Sequence, residues 1–322
     1  MTTADPAPEL LTLRVSRSEP AADGIQLLEL RHPSHADLPP FTPGSHLAIE
    51  VPSGAMRNYS LCNDPHERDR YLVAIKREEK GRGGSISLID GAKPGDTIHA
   101  VPPRNLFELV PNAPSYIFVA GGIGITPILS MMRYLQAAGG AKPFKLYYLT
   151  RNAASTAFLP ELAGLTGHVT IHHDDGDPAQ AFDLWPVFEQ PTKAHIYCCG
   201  PRPLMDAVRD MTGHWPETAI HFEDFGSDLV RPHADDTPFS IRLERTGAVL
   251  NVPVGSTILE IIRAHGRKVP SSCESGTCGT CRTTVLAGEP DHRDLVLTEP
   301  ERRSAMMICV SRAKSDLLVL DL

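Results

Sequence analysis

Membrane spans, basic blocks and repeats are all missing from this chain. No stretch approaches the ~20 consecutive apolar residues that a membrane helix needs. The N-terminal MTTADPAPELLTLRV lacks the basic region and apolar run of a signal peptide. It reads as a flexible lead into a strand, which makes the cytoplasm the expected compartment. Lysine and arginine form no long block and the formal net charge is −8, which argues against nucleic acid as a partner and suits a soluble shuttle with a protein partner. Low-complexity tracts and internal repeats are also missing. What is present is a globular composition, 41% hydrophobic and 22% charged, over 322 residues. That length exceeds one ordinary core and implies two or three domains. The seven cysteines are an odd number, which argues against a disulfide framework and towards metal or redox chemistry.

Three segments differ in their periodicity. Residues 1–110 carry strand-like runs (LLTLRVSR, GIQLLELR, HLAIEV, YLVAIKR) separated by turn formers such as LPPFTPGS and KPGDTIHA. One helical stretch, SISLIDG, begins at Ser85. This pattern predicts a small antiparallel β-barrel. From 111 to 226, apolar strands (SYIFVAGG, KLYYLTR, HVTIHH, HIYCCG) alternate with helical stretches (TPILSMMRYLQAAGG, RPLMDAVRDM). That alternation predicts an α/β domain with a doubly wound parallel sheet. The polar GSDLVRPHADDTP reads as a linker, placed at 227–236. In 237–322, FSIRLER and AVLNVPV suggest a hairpin, STILEIIRAHG a Ser- or Thr-capped helix, and LLVLDL a closing strand.

The most specific motif is PSSCESGTCGTC. Cys273, Cys278 and Cys281 have C-x₄-C-x₂-C spacing, and Cys309 follows 28 positions later. This is the plant-type pattern of a four-thiolate [2Fe–2S] cluster. Gly276 and Gly279 allow tight turns that aim backbone N–H groups at the sulfurs, which favours the reduced cluster. A structural zinc site is the competing reading, but zinc ribbons pair two short Cys-x₂-Cys knuckles.

Two glycine-rich loops end strands of the middle segment. In AGGIGITP, Gly121, Gly122 and Gly124 let a pyrophosphate approach the backbone at a helix N-terminus. In YCCGPRPLM, the adjacent Cys198 and Cys199 must point to opposite sides of a strand. Cys198 reads equally well as a buried strand residue, whereas Cys199, with Gly200 and Pro201, borders the same crevice beside a nicotinamide. In the first segment, RNYSLCN supplies Arg57, Tyr59 and Ser60, a weak signal alone. Gly83, Gly84 and Ser85 form a phosphate cradle or a plain helix cap. In HVTIHHDDGDP, the neighbours His172 and His173 cannot share a site on a regular strand, so a strand running into an acidic turn is the expected structure. DHRD (291–294) reads as a structural turn near the cluster.

Taken in order, RNYSL, GRGGSIS, AGGIGITP, CCGPRPLM, HFEDFG, PSSCESGTCGTC and CVSRAKS cover nearly the whole chain. In these motifs the chain resembles the phthalate dioxygenase reductase family, within the ferredoxin–NADP⁺ reductase superfamily. The resemblance implies an FMN barrel, an NAD-binding α/β domain and a C-terminal α+β β-grasp ferredoxin domain. It implies that Arg57, Asn58, Tyr59 and Ser60 line the flavin, with Arg57 near its phosphate. Ala74, Ile75 and Lys76 would flank it, Gly83, Gly84 and Ser85 would bind the phosphate, Thr126 would lie near the reactive edge, and Phe225 would cover the ring. It further implies electron flow from NADH to FMN to [2Fe–2S] and on to a Rieske-type terminal oxygenase, with the cofactors carrying the chemistry. NADH is preferred to NADPH because LYYLTRNAAS offers only one arginine, Arg151, to a 2′-phosphate. A monomer suits such a shuttle. The rival readings are the reductase of a monooxygenase or O-demethylase, a redox sensor, and a zinc-bearing flavin reductase.

Overall fold

A computed structural model describes residues 10–52, 54, 56–79, 83–137, 139, 142–225, 235–271, 274, 276 and 279–322. The chain divides into two compact units, Met1–Asp224 and Phe225–Leu322.

The first unit opens with β1 (Leu11–Ala22), β2 (Ile25–Arg31), β3 (Ser45–Glu50), β4 (Met56–Ser60), β5 (Tyr71–Lys76), α1 (Gly84–Gly91) and β6 (Thr97–Asn105). The strands pair antiparallel in the order β4-β3-β6-β1-β2-β5. A bridge between Leu61 and Val73 joins the two edges and closes the barrel. Inside lie Leu13, Val15, Leu28, Leu30, Leu47, Ile49, Tyr71, Val73 and Ile75.

The strands IQLLELR and YLVAIK are apolar at consecutive positions, and the structure gives the reason. Leu28, Leu30, Val73 and Ile75 face the barrel core. Ile25, Leu27, Leu72 and Ala74 face outward, into a second cluster shared with the α/β half. Each of the leucines and isoleucines contributes about 1.5–3 kcal/mol by leaving water, so this seam binds the two halves into one unit.

The α/β half contains β7 (Tyr116–Gly121), α2 (Ile125–Ala137), β8 (Phe144–Thr150), α3 (Leu159–Ala163), β9 (His168–His173), α4 (Trp185–Phe188), β10 (His195–Cys199), α5 (Arg202–Met211) and β11 (Ile220–Glu223). Its sheet is parallel, in the order β11-β10-β7-β8-β9. The chain reverses direction of winding at β7, and the crevice for a ligand lies beyond the carboxyl ends of the strands at such a point.

The second unit contains β12 (Phe239–Leu243), β13 (Ala248–Val252), α6 (Ile258–Ala264), β14 (Arg282–Ala287), β15 (Pro290–Asp291), α7 (Glu299–Arg302), β16 (Ala305–Met307), β17 (Arg312–Ala313) and β18 (Leu317–Leu320). A mixed sheet, β13-β12-β18-β14-β16, packs against α6. The anticipated hairpin is β12–β13. The anticipated cap is Thr257, which with Glu260 forms a reciprocal capping box. Most of the expected linker, 227–234, lies outside the described residues. At the end of that expected linker, Asp236 pairs with Arg293, whose guanidinium also reaches Asp291 at 2.6 Å.

Candidate functional site

The carboxyl ends of three neighbouring strands build the centre of the site. Register places Cys199 beside Ala120 on β7 and beside Glu223 on β11. Beyond them the two glycine loops touch through their main chains. A Cβ on Gly200 would lie 2.9 Å from both Cα and N of Gly121, and one on Gly124 would lie 2.9 Å from the Gly200 nitrogen. A Cβ on Gly121 would lie 2.5 Å from Pro201 Cδ. Glycine is therefore needed here for the approach of one backbone to another, so that the loops form one wall of the crevice. Gly122 meets a different demand, with φ of +51°. Thr126, in the first turn of α2, is buried and donates to the Ile123 carbonyl at 3.0 Å.

Both loop cysteines are wholly buried. Alternation sends them to opposite faces, as anticipated: Cys199 joins the seam with the barrel and Cys198 joins the far cluster with Ile196 and Phe188. Burial pushes the Cys198 thiol up to about 12 and raises Cys199 well above the usual range, with Glu223 adding to the rise. Neither is a thiolate nucleophile at neutral pH.

The barrel segment after β4 is tied to α2. Ser130 Oγ donates to the Asn63 carbonyl at 2.9 Å, and Arg133 donates to that of Cys62 at 2.7 Å. These bonds hold RNYSLCN against the helix that starts at the AGGIG loop. Arg57 lies over the start of α1, where a Cβ on Gly84 would meet its Nε at 2.9 Å. Gly83 is left-handed with φ of +77°, and among the described residues no side chain caps α1. N–H donors at a helix start beside a guanidinium make an anion site. Ser85 Oγ accepts from the Glu78 nitrogen at 3.1 Å. Asn58 Oδ1 is buried without a hydrogen-bond partner, and Tyr59, pushed up to about 12 by burial against the pull of Arg57, stays a neutral phenol. A cationic phosphate cradle, an orphaned buried acceptor and a neutral phenol fit the phosphate and polar ring edge of a flavin mononucleotide.

Other anticipated flavin residues are dispersed. Ile75 points into the barrel core, Ala74 into the seam, and Lys76 is exposed. This strand can therefore flank a ligand with its main chain, not with all three side chains. Phe225 is exposed and opens the second unit. Arg151 is also exposed, and its carbonyl accepts from Asp175 in the acidic turn after β9. His172 and His173 separate as expected, the first to the Gln180 carbonyl and the second to Thr150 Oγ1.

One residue had no assigned role at the sequence level. Glu223 ends β11 with its carboxyl 3.5 Å from Ser60 Oγ, which donates to it across 163 positions of sequence. Burial pushes this carboxyl up to about 8, although the Ser60 bond pulls the other way, so it holds a proton at neutral pH. The available signal was a carboxylate closing a short strand, AIHFE.

In the second unit, Cys281 at the head of β14 and Cys309 after β16 are buried and not disulfide-bonded. Cys273 and Cys278 lie outside the described residues. Between the cysteines, Glu274, Gly276 and Gly279 all have left-handed φ, between +52° and +79°. A Cβ on Gly276 would lie 2.8 Å from the side chain of Val310, the neighbour of Cys309. Gly276 is thus pressed against the segment bearing the distant cysteine, a closeness that a four-thiolate cluster requires. In the DHRD turn, Asp294 accepts from Val296 and Leu297, and Leu295 donates to the Gly276 carbonyl at 3.1 Å.

Two family models match the chain: the 2Fe-2S iron-sulfur cluster binding domain over residues 241–314 and the oxidoreductase NAD-binding domain over 118–210. The phthalate 4,5-dioxygenase oxygenase reductase subunit of Pseudomonas putida is 56% identical over 313 residues, 96% of each chain. The phthalate dioxygenase reductase of Burkholderia cepacia is 52% identical over 315 residues, 97% of each. A solved phthalate dioxygenase reductase, described as a modular structure for electron transfer from pyridine nucleotides to [2Fe-2S], superposes with a TM-score of 0.86 at 51% identity, covering 97% of this chain and 98% of that one.

Proposed function

The chain belongs to the phthalate dioxygenase reductase family, and from that premise we propose that it supplies electrons from NADH to a Rieske-type oxygenase that attacks a phthalate-like aromatic acid. It is an NADH-dependent electron-transfer reductase with FMN and a [2Fe–2S] cluster. The observation that carries the reading is the convergence of Cys199, Glu223 and Ser60 at the strand ends where the two glycine loops meet.

When bound, the flavin takes a hydride and the cluster relays single electrons, the chemistry that the side chains do not supply. We assign Gly121, Gly122, Gly124, Gly200 and Pro201 to the dinucleotide, the glycines' lack of side chains letting it lie against the main chain. Arg57, with Gly83, Gly84 and Ser85, holds the flavin phosphate, and Asn58 accepts a hydrogen bond from the ring or its ribityl chain. Glu223 holds a proton against Ser60 and closes the crevice with Cys199. Cys273, Cys278, Cys281 and Cys309 ligate the cluster. Arg151 is a single positive charge beside Asp174, Asp175 and Asp177, whose negative charges disfavour a 2′-phosphate. The domain division proposed is a barrel over 1–110, the nucleotide half over 111–226, a linker over 227–236 and a ferredoxin domain over 237–322. Among the described residues no helix is long and apolar enough to cross a membrane, and the assignment we favour is a cytoplasmic monomer.

The test is reconstitution with the oxygenase component of the P. putida phthalate 4,5-dioxygenase. Phthalate-dependent NADH oxidation with product formation supports the assignment. Full reduction of the protein's own cofactors without transfer to that oxygenase removes the phthalate-type partner.

A further inference from the structure

Glu274 stands in the cysteine loop immediately after Cys273, with φ of +52° and only 3% of its surface exposed. A carboxylate so buried is unfavourable unless paired and hydrogen-bonded. Arg263 supplies the pairing at 2.7 Å, and Ser271 Oγ donates to the same oxygen at 3.2 Å. Arg263 also donates to Ser271 Oγ, so the three side chains are mutually bonded. The guanidinium sits in the last turn of α6, where the helix dipole favours a cation. Near its start, α6 donates from the Leu259 nitrogen to the Ile308 carbonyl at 3.0 Å, beside Cys309. A helix capped by Thr257 and Glu260 thereby links the loop holding three cysteines to the segment holding the fourth.

We propose that Arg263 and Glu274 are positioning residues whose opposed charges set the reduction potential of the cluster, an inference that rests on the cluster reading above. Net charge around a cluster is one of the determinants of its potential. The Glu274 carboxylate opposes the arriving electron, and the Arg263 guanidinium offsets most of that opposition. The step concerned is one-electron reduction of the cluster by NADH-reduced flavin, and no bond in the pair forms or breaks. Glutamine at 274 would keep the shape and the hydrogen bonds, so a purely structural role does not require the charge.

The experiment is a potentiometric titration of the full-length holoprotein, followed by electron paramagnetic resonance, with iron content measured for every variant. Glu274→Gln is expected to raise the midpoint potential, Arg263→Gln to lower it, and Arg263→Lys to stay near wild type. Shifts of the same sign for the two glutamine variants, or no shift in either, overturn the proposal. If Arg263→Gln loses its iron, the other two variants decide: a raised potential for Glu274→Gln with Arg263→Lys unmoved supports it, and an unmoved Glu274→Gln overturns it. A wild-type protein that binds flavin but gives no cluster signal overturns the cluster reading itself, and the inference with it.

Discussion

Substituting Gly124 by alanine tests whether the nucleotide crevice depends on backbone contact between its two loops. The added Cβ would lie 2.5 Å from the Cys199 carbonyl carbon and 2.9 Å from the Gly200 nitrogen. Carbon contacts settle at about 3.5–4.0 Å. Both obstacles are main chain, held in register by the ladder between β7 and β10, and cannot swing aside as a side-chain tip would. The loops must therefore part by about 1 Å. Overpacking of this kind costs about 1–3 kcal/mol of stability. A misplacement of about 1 Å in a positioning element costs roughly 10²-fold in rate. Anaerobic stopped-flow measurement of flavin bleaching by NADH should thus show a loss of about 10²-fold, with flavin and iron contents unchanged. Gly24→Ala is the control for destabilisation alone. Its residue has φ of +68° in the β1–β2 turn with nothing near a Cβ, so it should cost about 1–2 kcal/mol and leave the rate alone. Wild-type bleaching by Gly124→Ala would refute the reasoning.

Three further outcomes follow from other parts of the molecule. Glu223, holding its proton up to about pH 8, should impose an inflection near that pH on the rate of flavin reduction, and Glu223→Gln should abolish it; an unchanged pH profile would remove this role. Cys309→Ser should lose the cluster and with it reduction of a one-electron acceptor such as cytochrome c, while NADH still bleaches the flavin. Burial alone would raise Glu29, but hydrogen bonds from Arg31, Ser16 and Arg70 prevail and hold its carboxyl at about 2, below the 4.5 of a free glutamate. The unfolded chain therefore binds the extra proton first, so the contribution to stability is present above pH 4.5 and is lost as pH falls towards 2. Solvent screening of the partly exposed arginines leaves roughly 1–2 kcal/mol of it. Glu29→Gln should accordingly lower the denaturant midpoint at pH 7 and make little difference near pH 2.

Much of this architecture was legible because its signals are local. The cysteine spacing, the glycine loops and the Thr257 cap each specify a structure within a dozen residues. The opposed placement of Cys198 and Cys199 followed from strand alternation alone, as did the separation of His172 and His173. What was not legible depends on contacts distant in sequence. The outward faces of β2 and β5 are apolar because they meet the α/β half, which their own periodicity cannot reveal. Glu223 acquires its role only when β11 lies next to β10 and its end reaches Ser60. The glycines at 121, 124 and 200 suggested room for a phosphate, whereas the structure adds that they are needed to let the loops touch each other. The partners of Asp236 were likewise invisible, because an isolated polar stretch does not show which arginines will receive it.

The central claim is that one chain carries electrons from NADH through a flavin to a four-cysteine iron–sulfur cluster. An anaerobic NADH titration of the purified protein, read by absorbance and by electron paramagnetic resonance, tests it most directly. The account predicts that the flavin band bleaches and that a rhombic [2Fe–2S] signal grows as reducing equivalents are added. Full bleaching of the flavin with no iron signal would contradict it and leave a flavin reductase with a different metal at the cysteines.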